Sequence, residues 1–280
     1  MVGRWVGLLA VLLLALVACA QEPPAQEPPP PKPPQPFWSD SFEDADLHGR
    51  GWYDGREWHL SDIAREGEHS LEFSWLAGTM NSQTHGGRRP VPETEQVYVR
   101  FCLRLSDNWR WSPRPYHPHL AHFMTTEDTK WQGPAFSRLT LYIEPVGGRL
   151  RLATQDRANQ TAPHGLTQGP LRGGYNGQEF DSEEVLFEPG RWYLVEALFR
   201  LNTVDEAAGT WASDGLVQGW VDGELVIDRD DVIFRSVDYP TMKFNQFLLT
   251  PYFGEGLLPH PQTLWIDNLL VAGERIEPEE

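Results

Sequence analysis

Along much of this chain apolar and polar side chains alternate one for one, the period of a half-buried β-strand. Residues 97–105 put apolar side chains at the odd positions and Tyr98, Arg100 and Arg104 on the other side. In residues 137–143, Leu139, Leu141 and Ile143 point one way while Arg138, Thr140 and Tyr142 point the other. A Gly147-Gly148 turn leads into a shorter strand over 149–153. Residues 192–201 carry Tyr193, Val195, Ala197, Phe199 and Leu201 on one face, and residues 219–227 read as a hairpin turning at Asp222-Gly223. Residues 244–253 and 264–271 predict the last strands. No segment keeps a 3.6-residue stripe for more than three turns. Many short strands separated by turns predict an all-β, two-sheet antiparallel sandwich or jelly roll.

The first 36 residues follow neither period. Arg4 precedes a short apolar run over 6–17 that ends Leu16-Val17-Ala18-Cys19. That pattern reads as a secretory signal over 1–18, too short for a membrane-spanning helix of roughly 20 apolar residues. Its last four residues resemble the bacterial lipobox, which implies cleavage before Cys19 and acylation of that residue. Residues 20–36 hold nine prolines in 17 positions. Such a segment favours polyproline II, a semi-rigid stalk of roughly 50 Å. The expected organisation is therefore signal peptide 1–18, lipidated Cys19 and stalk 19–36, and one domain over 37–280. The expected location is the bacterial cell envelope, at the outer membrane or cell surface, with the membrane touched only through the lipid.

Composition narrows the function classes. The 280 residues include 40 acids and 23 bases, a formal charge of −17, which loss of Arg4 with the signal would take to −18. An acidic surface does not displace counterions from phosphate, so nucleic acid is not an expected partner. Two cysteines cannot build a disulfide framework. With Cys19 acylated, Cys102 is the remaining thiol; its place in an apolar strand suits a buried structural residue better than a nucleophile. A monomer is expected.

The segments GRWYLVEALFRLNT, DGLVQGWVDGELV, FNQFLLTPYFGEG and LWIDNLLV, in that order, resemble the concanavalin A-like jelly roll of polysaccharide lyases. YVRFCLRLSDNW and FSRLTLYI upstream match the same strand order, so the resemblance spans roughly residues 38–273. Its alginate and glucuronan lyase type (polysaccharide lyase family 14-like) is the nearest in flavour. The resemblance implies a concave sheet that holds a sugar chain, and Arg138 aligns with that family's arginine on the SRL strand. The family's lysine segment corresponds here to Tyr116-His117-Pro118-His119-Leu120-Ala121-His122, which has no lysine, and its tyrosine pair on the strand matching 149–153 is absent.

β-Elimination needs the uronate carboxyl group held, the neighbouring proton removed and the leaving oxygen protonated. Candidate catalytic residues are Arg138, His117, His119, His122 and Tyr252. Arg100, Tyr142, Gln246 and Thr250 are candidate substrate-binding residues. The same arginines and tyrosines also fit cross-strand pairing and sheet lining. The spacing His117-x-His119-x-x-His122 is also compatible with zinc. No cofactor is expected for the chemistry itself, but Glu43 in SFED and Asp267 in WIDN resemble the paired acids that hold a structural calcium in carbohydrate-binding sandwiches. Glu179, Asp181 and Glu184 match a glycosidase acid spacing, although the glycines before them suggest a loop. Trp52, Trp58, Trp109, Trp111 and Trp131 fit either sugar stacking or core packing. Three readings follow: a lyase on uronate-containing polysaccharide, a non-catalytic carbohydrate-binding lipoprotein, and a glycoside hydrolase of the same fold.

Overall fold

The computed structural model describes Gly3 and residues 33–111, 118–126, 138–155, 177–253, 258 and 260–277, without the side chains of Pro118, Thr125, Thr126, Arg138 and Phe253. His117, Cys19 and Trp131 lie outside the described residues. Two compact units partition the chain at Pro33/Pro34, and the second, 34–280, carries all the strands. Among the described residues there is no helix, and so none long and apolar enough to cross a membrane.

The strands, numbered β1 to β16 in chain order, form two antiparallel sheets. The larger runs β14 (Glu224–Val232), β13 (Gly215–Val221), β10 (Trp192–Arg200), β5 (Gln96–Leu105), β16 (Gln262–Ala272), β3 (Ser70–Trp75) and β2 (His59–Ser61), with β1 (Pro36–Asp40) also paired to β16. The second runs β4 (Gly87–Thr94), β15 (Phe244–Phe253), β6 (Pro118–Thr126), β7 (Arg138–Val146), β8 (Arg149–Gln155) and β9 (Gln178–Asp181). β11 (Val204–Asp205) and β12 (Thr210–Trp211) make a separate two-stranded ribbon.

The alternation in the sequence becomes the sandwich interior. Val97, Val99, Phe101, Leu103 and Leu105 of β5 face Leu139, Leu141 and Ile143 of β7 across one hydrophobic core, with Phe123, Phe199 and Phe247 between. Both expected hairpins form. Asp222 and Gly223 take φ of 51° and 83°, and Gly147 and Gly148 take 57° and 85°. Two consecutive left-handed residues match the twist of the flanking strands. Trp52 and Trp109 are core residues, and Trp58 and Trp111 pack against that core, so these four serve packing.

A patch on the outer face of the larger sheet is covered by the chain's own end. Tyr98, Leu198, Trp220 and Ala272 form a second apolar cluster, with Ile276 against it. At its centre the fully buried Glu196 accepts a hydrogen bond from the Tyr98 hydroxyl (2.5 Å) and pairs with Arg275 (3.1 Å), whose guanidinium lies 4.4 Å from the Trp220 ring. Cys102, on this same side, is buried, and burial with Asp267 nearby pushes its thiol up to about 11. An inert thiol is what that environment produces.

Candidate functional site

The outer side of the six-stranded sheet collects the chemistry. One cross-strand row runs from Arg88 on β4 through Leu248 on β15, His122 on β6, Tyr142 on β7 and Ala153 on β8 to Glu179 on β9. A neighbouring row joins Gln246, Met124, Thr140 and Gln155. A third aligns Glu144, Arg151 and Asp181. None of the apolar members, Leu248, Met124 and Ala153, belongs to the core between the sheets, as expected for the opposite face.

A register change brings in two more rings. Leu249 pairs with Ala121, but the next pair is Tyr252 with His119, so β15 carries one residue more than β6 over this stretch. The bulge includes Pro251, which has no N–H to lose from the ladder. The result is a cluster of rings. His119 lies 4.6 Å from Tyr252, 5.0 Å from Tyr142 and 6.1 Å from His122, and His122 lies 4.7 Å from Tyr142, all centroid to centroid.

Polar contacts orient this cluster. His119 Nδ1 contacts the buried carboxylate of Glu144, which fixes the tautomer with the proton on Nδ1 and leaves Nε2 as the basic nitrogen. Tyr142 donates its hydroxyl to Gln155 Oε1. The Tyr53 hydroxyl donates to Gln246 Oε1 (2.7 Å), which makes the amide NH2 the donor end of Gln246. Burial holds the Tyr53 phenol above its ordinary value. His122 is buried, and desolvation, then the neighbouring His119, push its imidazole down to about 3. It is therefore neutral at physiological pH, and its Nδ1 is a buried nitrogen with no hydrogen-bond partner among the described residues.

Arg88 and Arg151 on this face are held by acids, and Arg149 by the Ser182 and Glu183 carbonyls. Arg88 pairs with Asp54, whose other oxygen accepts the Arg88 backbone N–H at 2.6 Å. Arg151 pairs with Asp181 through two hydrogen bonds (2.6 and 2.8 Å) and with Glu179 at 2.8 Å. The acids of the glycosidase spacing are thus split. Glu179 and Asp181 sit on the edge strand β9 and clamp Arg151, while Glu184 lies beyond the strand end and is exposed.

Of the residues expected from sequence, the fold brings His119, His122, Tyr142, Tyr252 and Gln246 together. Thr250 lies inside the bulge, packed so closely on Gly86 that a Cβ there would meet it at 2.4 Å. Arg138 starts β7 opposite Thr126. Arg100 is on the other sheet, donating to the Ile276 carbonyl at 3.1 Å, and is not part of this face. Glu43 and Asp267 meet the loop over 62–69. Glu43 accepts the backbone N–H groups of Glu68 and His69, and Asp267 those of Arg65 and Glu66. Protein donors thus occupy both carboxylates, and among the described residues no group of three or more His, Cys, Asp or Glu side chains is arranged to hold a metal. A cavity of about 710 Å³ lined by Arg65, Arg104, Trp192 and Asp222 opens on the larger sheet, away from the histidines. Glu144 escaped the sequence reading, though it continues the outward series Arg138, Thr140, Tyr142 by one step. Arg88, Asp54 and Tyr53 gave no signal, since only the pairing of β4 with β15 carries them to the site.

The two antiparallel sheets make a jelly-roll sandwich, the fold of solved alginate lyases. Among solved structures the chain is similar to the PL-14 alginate lyase from Aplysia kurodai (TM-score 0.61, 12% identity, covering 86% of this chain and 100% of that one). It is also similar to alginate lyase vAL-1 from Chlorella virus (TM-score 0.58, 14%, covering 84% and 100%). A variant of alginate lyase Aly36B in complex with alginate trisaccharide superposes at TM-score 0.55 (14% identity, covering 87% and 98%). No protein-family model matches the chain, and no curated protein matches it. At these identities the likeness concerns the fold.

Proposed function

We propose that this chain is an exported, lipid-anchored lyase that cleaves uronate-containing polysaccharide by β-elimination on the outer face of the six-stranded sheet. The observation that carries the reading is the convergence of His122, Tyr142 and Tyr252 around His119, whose Nδ1 meets Glu144, in a fold shared with alginate lyases. In this reading His119 Nε2 removes the proton beside the carboxyl group, while Glu144 holds Nδ1–H and stabilises the imidazolium that forms. Tyr252, stacked on His119, returns a proton to the leaving oxygen. The amide of Gln246, neutral His122 and Arg138 hold the carboxyl group, and Tyr53 offers a ring at the rim for a sugar face. Cys19 anchors the protein through acyl chains, and the proline-rich stalk sets its distance from the membrane.

Incubating the purified chain with alginate, glucuronan and other polyuronates tests the reading. The ultraviolet absorbance of a C4=C5 double bond should appear and should be lost in His119→Ala. New reducing ends without that absorbance would point to hydrolysis. Retained affinity with neither signal would point to the non-catalytic carbohydrate-binding alternative.

A further inference from the structure

From the charge balance of this face we infer that the lyase proposed above acts on uronate units whose carboxyl groups are neutralised as esters, in preference to a free polyanion. This rests on the lyase reading and names its substrate class.

Among the described residues the face has no cationic surplus. Arg88 is committed to Asp54 and Arg151 to Asp181 and Glu179, and Glu144 adds a buried carboxylate engaged with His119. Arg89, next to Arg88, stacks 4.3 Å from the Trp38 ring on the core side. His122 is neutral. Counting Arg138, and Arg149 whose guanidinium donates to the Ser182 and Glu183 carbonyls, gives four guanidinium groups against the four carboxylates of Asp54, Glu144, Glu179 and Asp181. The whole chain is at −17. A polyuronate, with one negative charge per sugar, would meet repulsion on approach and no net attraction in the groove.

The chemistry points the same way. Removing the C5 proton beside a free carboxylate builds a second negative charge on that group and so demands a cation. Beside an ester the charge goes onto a neutral carbonyl oxygen, and hydrogen-bond donors suffice. Donors of this kind on the face are the Gln246 amide NH2 and the neutral His122 imidazole, the Tyr142 and Tyr53 hydroxyls being already donated to Gln155 and Gln246. The step balances without a co-reactant. His119 takes the C5 proton, its C–H electrons form the C4=C5 bond, the C4–O bond breaks, and the leaving oxygen collects a proton from Tyr252. The ester is untouched.

The test compares methyl-esterified polyuronates with the same preparations after saponification, using the full chain. Elimination should be at least about tenfold faster on the ester, and the ester rate should be insensitive to salt. Equal or faster elimination on the saponified chain at low salt would overturn the inference while leaving the lyase reading intact. If neither chain is cleaved, the lyase reading fails, and retardation in gels containing either polymer decides the inference: retention by the ester supports it, retention only by the acid form overturns it. The double variant Asp54→Asn/Glu179→Gln, which frees positive charge in the groove, should move the ratio toward the saponified chain by several-fold, and an unmoved ratio counts against the charge argument.

Discussion

A buried imidazole held neutral, as at His122, ties stability to pH. The folded state keeps this ring unprotonated down to about 3, whereas an unfolded histidine binds a proton near pH 6.5. Between those values the unfolded state holds more protons, so stability falls as pH falls, by up to about 1.4 kcal/mol per pH unit from this group. Urea unfolding across that window should show the slope, and His122→Phe should flatten it. His119 is different in kind, because its partner is Glu144 rather than a hydrophobic wall. Replacing Glu144 by Gln keeps the shape but removes the charge that stabilises the imidazolium. Elimination should drop about 100-fold, with the thermal midpoint little changed. A loss of KM with intact kcat would show that Glu144 serves substrate binding instead. Tyr252→Phe should lower kcat with KM preserved, since only the hydroxyl is removed from a ring that still packs on His119.

Among the elements, the bulge in β15 and the hairpin between β7 and β8 set the site's geometry. The extra residue in β15 seats Tyr252 beside His119, and a regular strand would put Pro251 there. The hairpin at Gly147-Gly148 holds Glu144 opposite Arg151 three pairs from the turn, so a slip of one residue would turn both side chains to the core. The two glycines are not equivalent. A Cβ at Gly147 meets nothing, whereas at Gly148 it would lie 2.6 Å from Val185 Cγ1. Gly147→Asn should therefore be tolerated, because Asn accepts the left-handed region, and Gly148→Ala should destabilise the domain by about 1–2 kcal/mol. Chemical denaturation of the two variants makes the comparison.

For the molecule as a whole, the two faces of the sandwich have opposite designs. On the outer side of the larger sheet the C-terminal segment covers the patch of Tyr98, Leu198 and Trp220, with Arg275 neutralising Glu196 under Trp220. Removing only the cation strands a buried carboxylate, so Arg275→Ala should cost about 2–3 kcal/mol. Adding Glu196→Gln should recover much of that loss, as a neutral amide can still accept from Tyr98. Failure of the second change to rescue the first would place Arg275's value in its packing on Trp220. The six-stranded sheet instead keeps its polar rows in ion pairs and ring contacts. Added salt screens the charge of the molecule over about 10 Å at 0.1 M, so affinity for an acidic polymer should rise with salt.

The alternation of side chains determined β5, β7, β8, β10 and β13 to β16, with the two hairpins and the sandwich, because burying one face of a strand is a local demand that repeats every second residue; β1 to β4, β6 and β9 did not show in it. The polar positions of that alternation also singled out Tyr142, Gln246 and Tyr252, whereas His119 and His122 were chosen from a short histidine-rich stretch read as a loop, which the structure makes β6. Which of these meet was decided by pairing order. Arg100 has the same outward alternation as Tyr142, yet β5 belongs to the other sheet, and a period of two does not say which sheet a strand joins. Glu144, Arg88, Asp54 and Arg151 became part of the site only through cross-strand register and loop approach. These are contacts between residues far apart in the chain, set by how the whole core packs.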